Sequence, residues 1–164
     1  MKKFVIFLVI CLFVVASSSV CLAKANTLSV GGVFGSFNGE GISTTYGGPV
    51  VHYGIMDELD IAGRYEAGSY WGTTLSFLTI GLNYNFYKVT GAVSPYVTAG
   101  FAQVYANFPG GFESTSGFFY GVGLNWRLVD QFLLNFDFRS HQATYAGFTL
   151  NATAISVGLM ADIL

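Results

Sequence analysis

From residue 28 onward, large apolar side chains recur at every second position in runs of about ten residues, broken by clusters of Gly, Asn, Asp, Ser and Pro. Period-two alternation of this kind predicts β-strands with two unlike faces. Eight strands are expected, at 28–37, 50–56, 59–68, 74–86, 95–105, 117–127, 132–141 and 151–163. Most match the roughly 9 to 11 residues that a tilted strand needs to cross a bilayer core, and the second is short.

Sorting the strands by parity separates two chemistries. The sixth sets Phe118, Tyr120, Val122, Leu124 and Trp126 against Phe119, Gly121, Gly123, Asn125 and Arg127. The seventh opposes Leu134, Phe136 and Phe138 to Asn135, Asp137 and Arg139, and the third opposes Ile61, Gly63 and Tyr65 to Asp60, Ala62, Arg64 and Glu66. In the fourth, Leu78, Ile80, Leu82, Tyr84 and Phe86 stand against Thr79, Gly81, Asn83 and Asn85. A soluble sheet would turn the apolar face inward; a barrel in lipid would turn it outward and the polar face to the lumen.

The connections help to choose. Those at 56–59 and 128–131 read as tight and 88–94 as moderate, whereas 38–49, 106–116 and 142–150 read as longer Gly-, Ser- and Thr-rich loops, with only 69–73 brief among them. Short turns on one side and long loops on the other predict an outer-membrane barrel with periplasmic turns, extracellular loops and periplasmic termini. Composition agrees: 52% hydrophobic, 17% aromatic and 10% charged, against about 25% charged in ordinary soluble domains. Too few charges are present to solubilise an exterior. A soluble lipocalin-like barrel is the rival, but its Gly-x-Trp signature is missing, since Ser69 and Leu124 stand two places before Trp71 and Trp126.

Met1-Lys2-Lys3, an apolar run over 4–15 and the small residues of "CLAKA" predict a secretory signal over 1–25, cleaved after Ala25 or after Ala23, with the barrel domain at 26–164. Both cysteines, Cys11 and Cys21, leave with it, so neither a disulfide nor a thiolate metal site is expected. The mature chain keeps Arg64, Lys88, Arg127 and Arg139 against all nine acids. That negative surplus argues against nucleic acid as a partner.

Arg64, Glu66, Asp137 and Arg139 are the informative charges. Each Arg facing lipid would cost about 2–4 kcal/mol near the midplane, so all four are expected in the lumen as an ion-pair plug. Counting five and seven steps from Leu59 and from Phe132 predicts Arg64 with Asp137 and Glu66 with Arg139, or one mixed network of the four. His52, Asp60, Asn83, Asn85, Asn125, Arg127 and Asn135 are expected to be lumen polar residues. Tyr84, Phe86, Tyr96, Trp126 and Phe132 should form an aromatic girdle at the turn ends, and Tyr65, Trp71 and Tyr105 one near the loop ends. Two histidines and no cysteine offer little to a transition metal, and no cofactor is expected.

The stretch "SPYVTAGFAQVYANF" followed by "GFFYGVGLNWRLVDQFLLNFDFR" resembles the fifth to seventh strands of small OmpA/OmpX-type outer-membrane barrels. The resemblance implies an eight-stranded antiparallel barrel inserted by the barrel-assembly machinery into outer-membrane lipid and lipopolysaccharide. It further implies a monomer with a structural role or an extracellular partner reached through the loops. It departs at Leu164, where the family usually has a terminal aromatic. Some small barrels are lipid A deacylases or acyltransferases with a His and a Ser at the membrane rim. Here Gln142, Ala143 and Thr144 follow His141 in place of a His-x-Ser-Asn pattern, and Ser140 belongs to the opposite face. His141 is therefore expected to be a polar rim residue and the chain to be no enzyme.

Overall fold

The computed structural model describes residues 25–39, 41–86, 92–145 and 148–163. Nearly all of the expected signal, residues 1–24, lies outside the described residues, as do Lys88 and Leu164. Eight strands follow in chain order: β1 (Leu28–Gly39), β2 (Ile42–Gly54), β3 (Leu59–Tyr70), β4 (Thr73–Asn85), β5 (Val93–Phe108), β6 (Gly111–Val129), β7 (Phe132–Tyr145) and β8 (Phe148–Asp162). Each pairs antiparallel with its sequence neighbour, and β1 pairs with β8 from Ser29↔Asp162 to Gly39↔Ala152, which closes the sheet. A closed sheet has no unpaired edge, the condition for placing strands where no water can satisfy the backbone.

The strands run further than alternation predicts, and they do so at the end away from the termini. β2 begins at Ile42 instead of residue 50, and β6 spans 19 residues from Gly111. The expected long loops at 38–49, 106–116 and 142–150 are strand at every described position except Gly41, Pro109 and Gly110. On that side β1 and β2, β3 and β4, β5 and β6, and β7 and β8 are each separated by only two residues. At the other end the connections are four, seven and two residues long, so the predicted asymmetry of short turns and long loops is absent. Ser, Thr and Gly are weak strand formers alone, but continuing an existing ladder satisfies their backbone groups, and this overrides the local signal. The turn between β3 and β4 shows how: Trp71 and Gly72 both have positive φ, 49° and 78°, the pair of conformations that a two-residue type I′ hairpin requires.

The apolar face is outside. Leu78, Ile80, Leu82, Val122, Phe136, Phe138, Ile155 and Leu159 are exposed, and Phe101 is 75% exposed. Arg64, Glu66, Asn83, Asn125, Asn135, Asp137 and Arg139 are buried. This is the reverse of a lipocalin-like barrel, whose interior is apolar.

Register sets how the interior fills. Tyr96, Gly123, Asp137 and Ser156 lie side by side on β5 to β8. A Cβ on Gly123 would overlap the Tyr96 ring, so the glycine lets Tyr96 lie flat across β6 and reach Asp137 on β7. Two levels away, Gly81 and Gly100 sit beside Phe119 and His141, and a Cβ at Gly81 would stand 2.6 Å from Phe119 Cζ. Large side chains in the lumen thus lie over glycines of neighbouring strands.

Gly123→Val should therefore lower the stability of the refolded barrel by at least the roughly 1–3 kcal/mol typical of overpacking. Gly63→Ala, on the outer face with no atom within 4 Å of the new Cβ, should leave it unchanged or slightly raised. Urea midpoints of the two variants in detergent micelles check the contrast; equal loss would contradict the packing account.

Candidate functional site in the barrel interior

One chain of polar side chains climbs the lumen from the end that carries the termini. At its mouth Ser29 donates to Asp162 at 2.6 Å and Arg127 pairs with Asp162 at 2.7 Å, fastening β6 and β1 to β8. Above this, Asp60 accepts from Asn83 and Asn85 at 2.7 and 2.8 Å, and His52 Nδ1 lies 3.9 Å from the same carboxylate. Asn125 donates to Asn85 at 3.2 Å, and Asn135 donates to Asn125 at 2.8 Å and to the Tyr96 hydroxyl at 2.9 Å.

Asp137 is the hub of the upper part. It accepts from Arg64, from Tyr96 Oη at 2.9 Å and from Arg139 Nε at 3.1 Å, and Arg139 Nη2 lies 3.0 Å away. Arg64, only 2% exposed, also donates to Asn135 at 3.1 Å and pairs with Glu66 at 3.7 Å. Two arginines thus face two carboxylates in one closed group. The expected match of Arg64 with Asp137 is present, while Glu66 and Arg139 each turn to a neighbour two places along their own strand, which makes one mixed network. The Arg139 guanidinium lies 4.7 Å above the Phe119 ring, where the negative face of the ring meets its charge. Beyond it Phe37, Tyr46, Phe77, Val104, Ala143, Ala152 and Ala154 form an apolar cluster across the lumen. A second cluster, Val33, Val50, Leu133 and Met160, fills space beside the polar chain.

No family model matches the sequence, and no curated protein does. Solved structures match over most of the chain. The N-terminal β-barrel domain of Pseudomonas aeruginosa OprF aligns with TM-score 0.65 at 17% identity, over 83% of this chain and 98% of that one. Neisserial surface protein A aligns with TM-score 0.68 at 13% identity, over 84% and 96%. Ail of Yersinia pestis, solved with the heparin analogue sucrose octasulfate, aligns with TM-score 0.52 at 12% identity, over 82% and 96%. The chain has the fold of the small OmpA/OmpX-type outer-membrane barrels.

On the outer face of this outer-membrane-barrel fold, Tyr84, Phe86, Trp126 and Phe132 are exposed near the ends of strands that face the termini, with Tyr84 and Phe86 edge-to-face at 5.6 Å. Tyr65 and Tyr105 lie on the outer face of the opposite half. Two expected girdle residues are elsewhere. Tyr96 is 1% exposed and belongs to the lumen network; it shares parity with Ser94, Thr98 and Gly100, and that parity was the signal for it. Trp71 is 92% exposed at a hairpin tip. It lies six residues beyond Tyr65, about 20 Å along the strand, too far for both to sit in one belt.

His141 is not at the rim. It is buried, stacked 5.7 Å from Phe119 and tilted against Phe77 at 5.6 Å, while Ser140 belongs to the outer face. A base must approach its nucleophile to about 2.6–3.2 Å, and here the wall of the barrel separates the two side chains. Among the described residues no group of three or more His, Cys, Asp or Glu is placed to hold a metal ion.

Removing one partner from a buried charge cluster costs about 3–5 kcal/mol because the other charge stays buried. Asp137→Ala, which strands two arginines, should reach at least that figure in urea unfolding of the refolded barrel. Arg64→Ala with Asp137→Ala should cost clearly less than the sum of the single changes. Additivity within about 0.5 kcal/mol would mean that the sites are independent.

Proposed function

We propose that this chain is a non-enzymatic barrel of a Gram-negative outer membrane, with a lumen filled by side chains and a structural or surface-interaction role in the envelope. The observation that carries the reading is the pairing of an apolar outer face with a buried ion network beneath the Phe37–Tyr46–Phe77–Val104 cluster. Such an exterior suits lipid, and such an interior leaves no open path for ions. An outer face without a charged interruption also suits a monomer inserted by the barrel-assembly machinery.

Charge placement supports periplasmic termini now that loop length does not. Asp57, Glu58, Arg127, Asp130 and Asp162 lie at the end that carries the termini, whereas the two-residue connections 40–41, 71–72, 109–110 and 146–147 at the other end hold one charge among them, Glu40. Carrying tips with a single charge across hydrocarbon is cheaper than carrying the more highly charged turns. With two-residue hairpins on the outer side, any contact with another molecule falls to the outer faces and tips of the extended strands. Ail was solved with a sulfated sugar analogue. This chain favours a different chemistry: of the described arginines, Arg64 and Arg139 are buried in the lumen and Arg127 is at the opposite end.

Enzyme chemistry is disfavoured because His141 and Ser140 lie on opposite sides of the wall. Refolded protein should release no acyl chain from lipopolysaccharide or phospholipid; release that His141→Ala abolishes would overturn the reading.

The native protein should fractionate with outer membranes, migrate as a compact band until boiled, and give no steady conductance in planar bilayers. Phe37→Ala with Phe77→Ala, which opens the apolar cluster, should raise the frequency of conducting events. Recovery as a soluble periplasmic protein, or steady conductance of the unaltered chain, would overturn the proposal.

A further inference from the structure

The outer face carries a groove of about 490 Å³ on β3 to β6, toward the two-residue hairpins, a volume within the range of small-ligand sites. Its cause is a change of side-chain size along β4. Leu78, Ile80, Leu82 and Tyr84 cover the outer face lower down, and the next two outward positions are Ser76 and Thr74. On β3 the outward residues paired with them are Ala67 and Ser69. Small residues therefore form a floor, and large ones stand around it. Tyr65 bounds it on β3 and donates from its hydroxyl to Ser76 Oγ at 3.3 Å. On the other side Tyr105 and Phe112 stack, centroids 5.8 Å apart and 29° between planes, although Phe112 is 64% exposed. Asn107 adds an amide.

The height of the groove selects its occupant. Below it the outward residues are apolar: Leu78 and Ile80 on β4, Phe101 on β5, Phe118 and Tyr120 on β6. From Gln103 on β5 and Ser116 on β6, which hydrogen-bond at 2.6 Å, the outer face becomes polar. The groove begins where the apolar belt ends, at the level of lipid headgroups, with tyrosines of the kind that sit at such interfaces. Its donors and acceptors are hydroxyls and one amide, and Arg64, Arg127 and Arg139 are all directed elsewhere, so among the described residues it offers a phosphate no cationic partner. Ring faces together with neutral hydrogen-bonding groups suit a sugar ring, whose C–H edges meet the negative aromatic face.

From this geometry we infer that the groove binds the uncharged pyranose headgroup of an outer-leaflet glycolipid, with Tyr105 and Phe112 as the stacking platform and Ser76, Thr74 and Asn107 as hydrogen-bonding partners. The inference rests on the membrane orientation proposed above. Leu78, at the lower edge, continues into the apolar belt and gives the acyl chains their way down.

Native mass spectrometry of the refolded full chain in detergent tests this with monoglucosyl diacylglycerol, phosphatidylglycerol, diacylglycerol and methyl glucoside as probes. One glucolipid adduct should be retained at least five-fold over phosphatidylglycerol and over diacylglycerol, and methyl glucoside at the same concentration should not displace it. Tyr105→Ala with Phe112→Ala should erase the preference, and so should Ser76→Leu, which fills the floor and leaves both rings in place; Tyr105→Phe should keep it. Equal retention of the three lipids, a preference that survives either disruptive change, or displacement by the free glucoside would overturn the inference. A compact heat-modifiable band from the same sample keeps the outcomes apart: its absence counts against the membrane barrel, its presence without glucolipid preference only against the groove.

Discussion

The interior of a closed eight-stranded sheet is only as wide as the side chains that point into it, and most features of this molecule follow from that limit. Buried charges there must find partners, because an uncompensated charge away from water costs more than the fold can spare. Asp137 meets the requirement for two arginines and a tyrosine at once. Its carboxylate is reachable from β5 only because the intervening residue on β6 is Gly123, and from β3 only because Arg64 is long enough to cross the lumen. Side-chain length, glycine placement and charge are thus one arrangement and not three.

Much of this was legible in the sequence because a strand repeats every two residues and every strand here has a polar and an apolar face. The parity of Arg64 and Glu66, of Asn83 and Asn85, and of Asp137 and Arg139 placed all six in the lumen, and equal counts from the two tight turns brought Arg64 level with Asp137. What alternation could not give was the reach of side chains once inside. Glu66 and Arg139 turn along their own strands, a rotamer choice that no spacing encodes. Tyr96 was misread because its position near a strand end suggested an interface, although its parity placed it inside.

The half away from the termini was read less well, for a physical reason. Ser, Thr and Gly at 43–48 and 111–117 carry turn-like propensities, but propensity is a weak prior against a ladder already running on both sides. An antiparallel hairpin needs only two residues with suitable φ to reverse, and Trp71-Gly72 supplies them in a form less familiar than Asn-Gly. Extending strands past the apolar belt has a consequence for surface chemistry. It replaces loops, which can move, with a fixed lattice of outward side chains in which a step from Leu to Ser creates a concavity of defined shape.

Closure and the interior network depend on each other through distance along the chain. Arg64 and Asp137 are 73 residues apart, and Ser29 and Asp162 are 133 apart. A partly assembled sheet therefore brings together neither the crossing ion pair nor the β1–β8 seam, although it can already form every hairpin. Hairpins without the seam leave two unpaired edges and expose Arg64 without Asp137 across the lumen, a state that lipid penalises through both backbone and charge. The charged lumen thus makes intermediate barrels poor and the closed one cooperative. That gives a buried ion network a structural role even where its net contribution to stability is small.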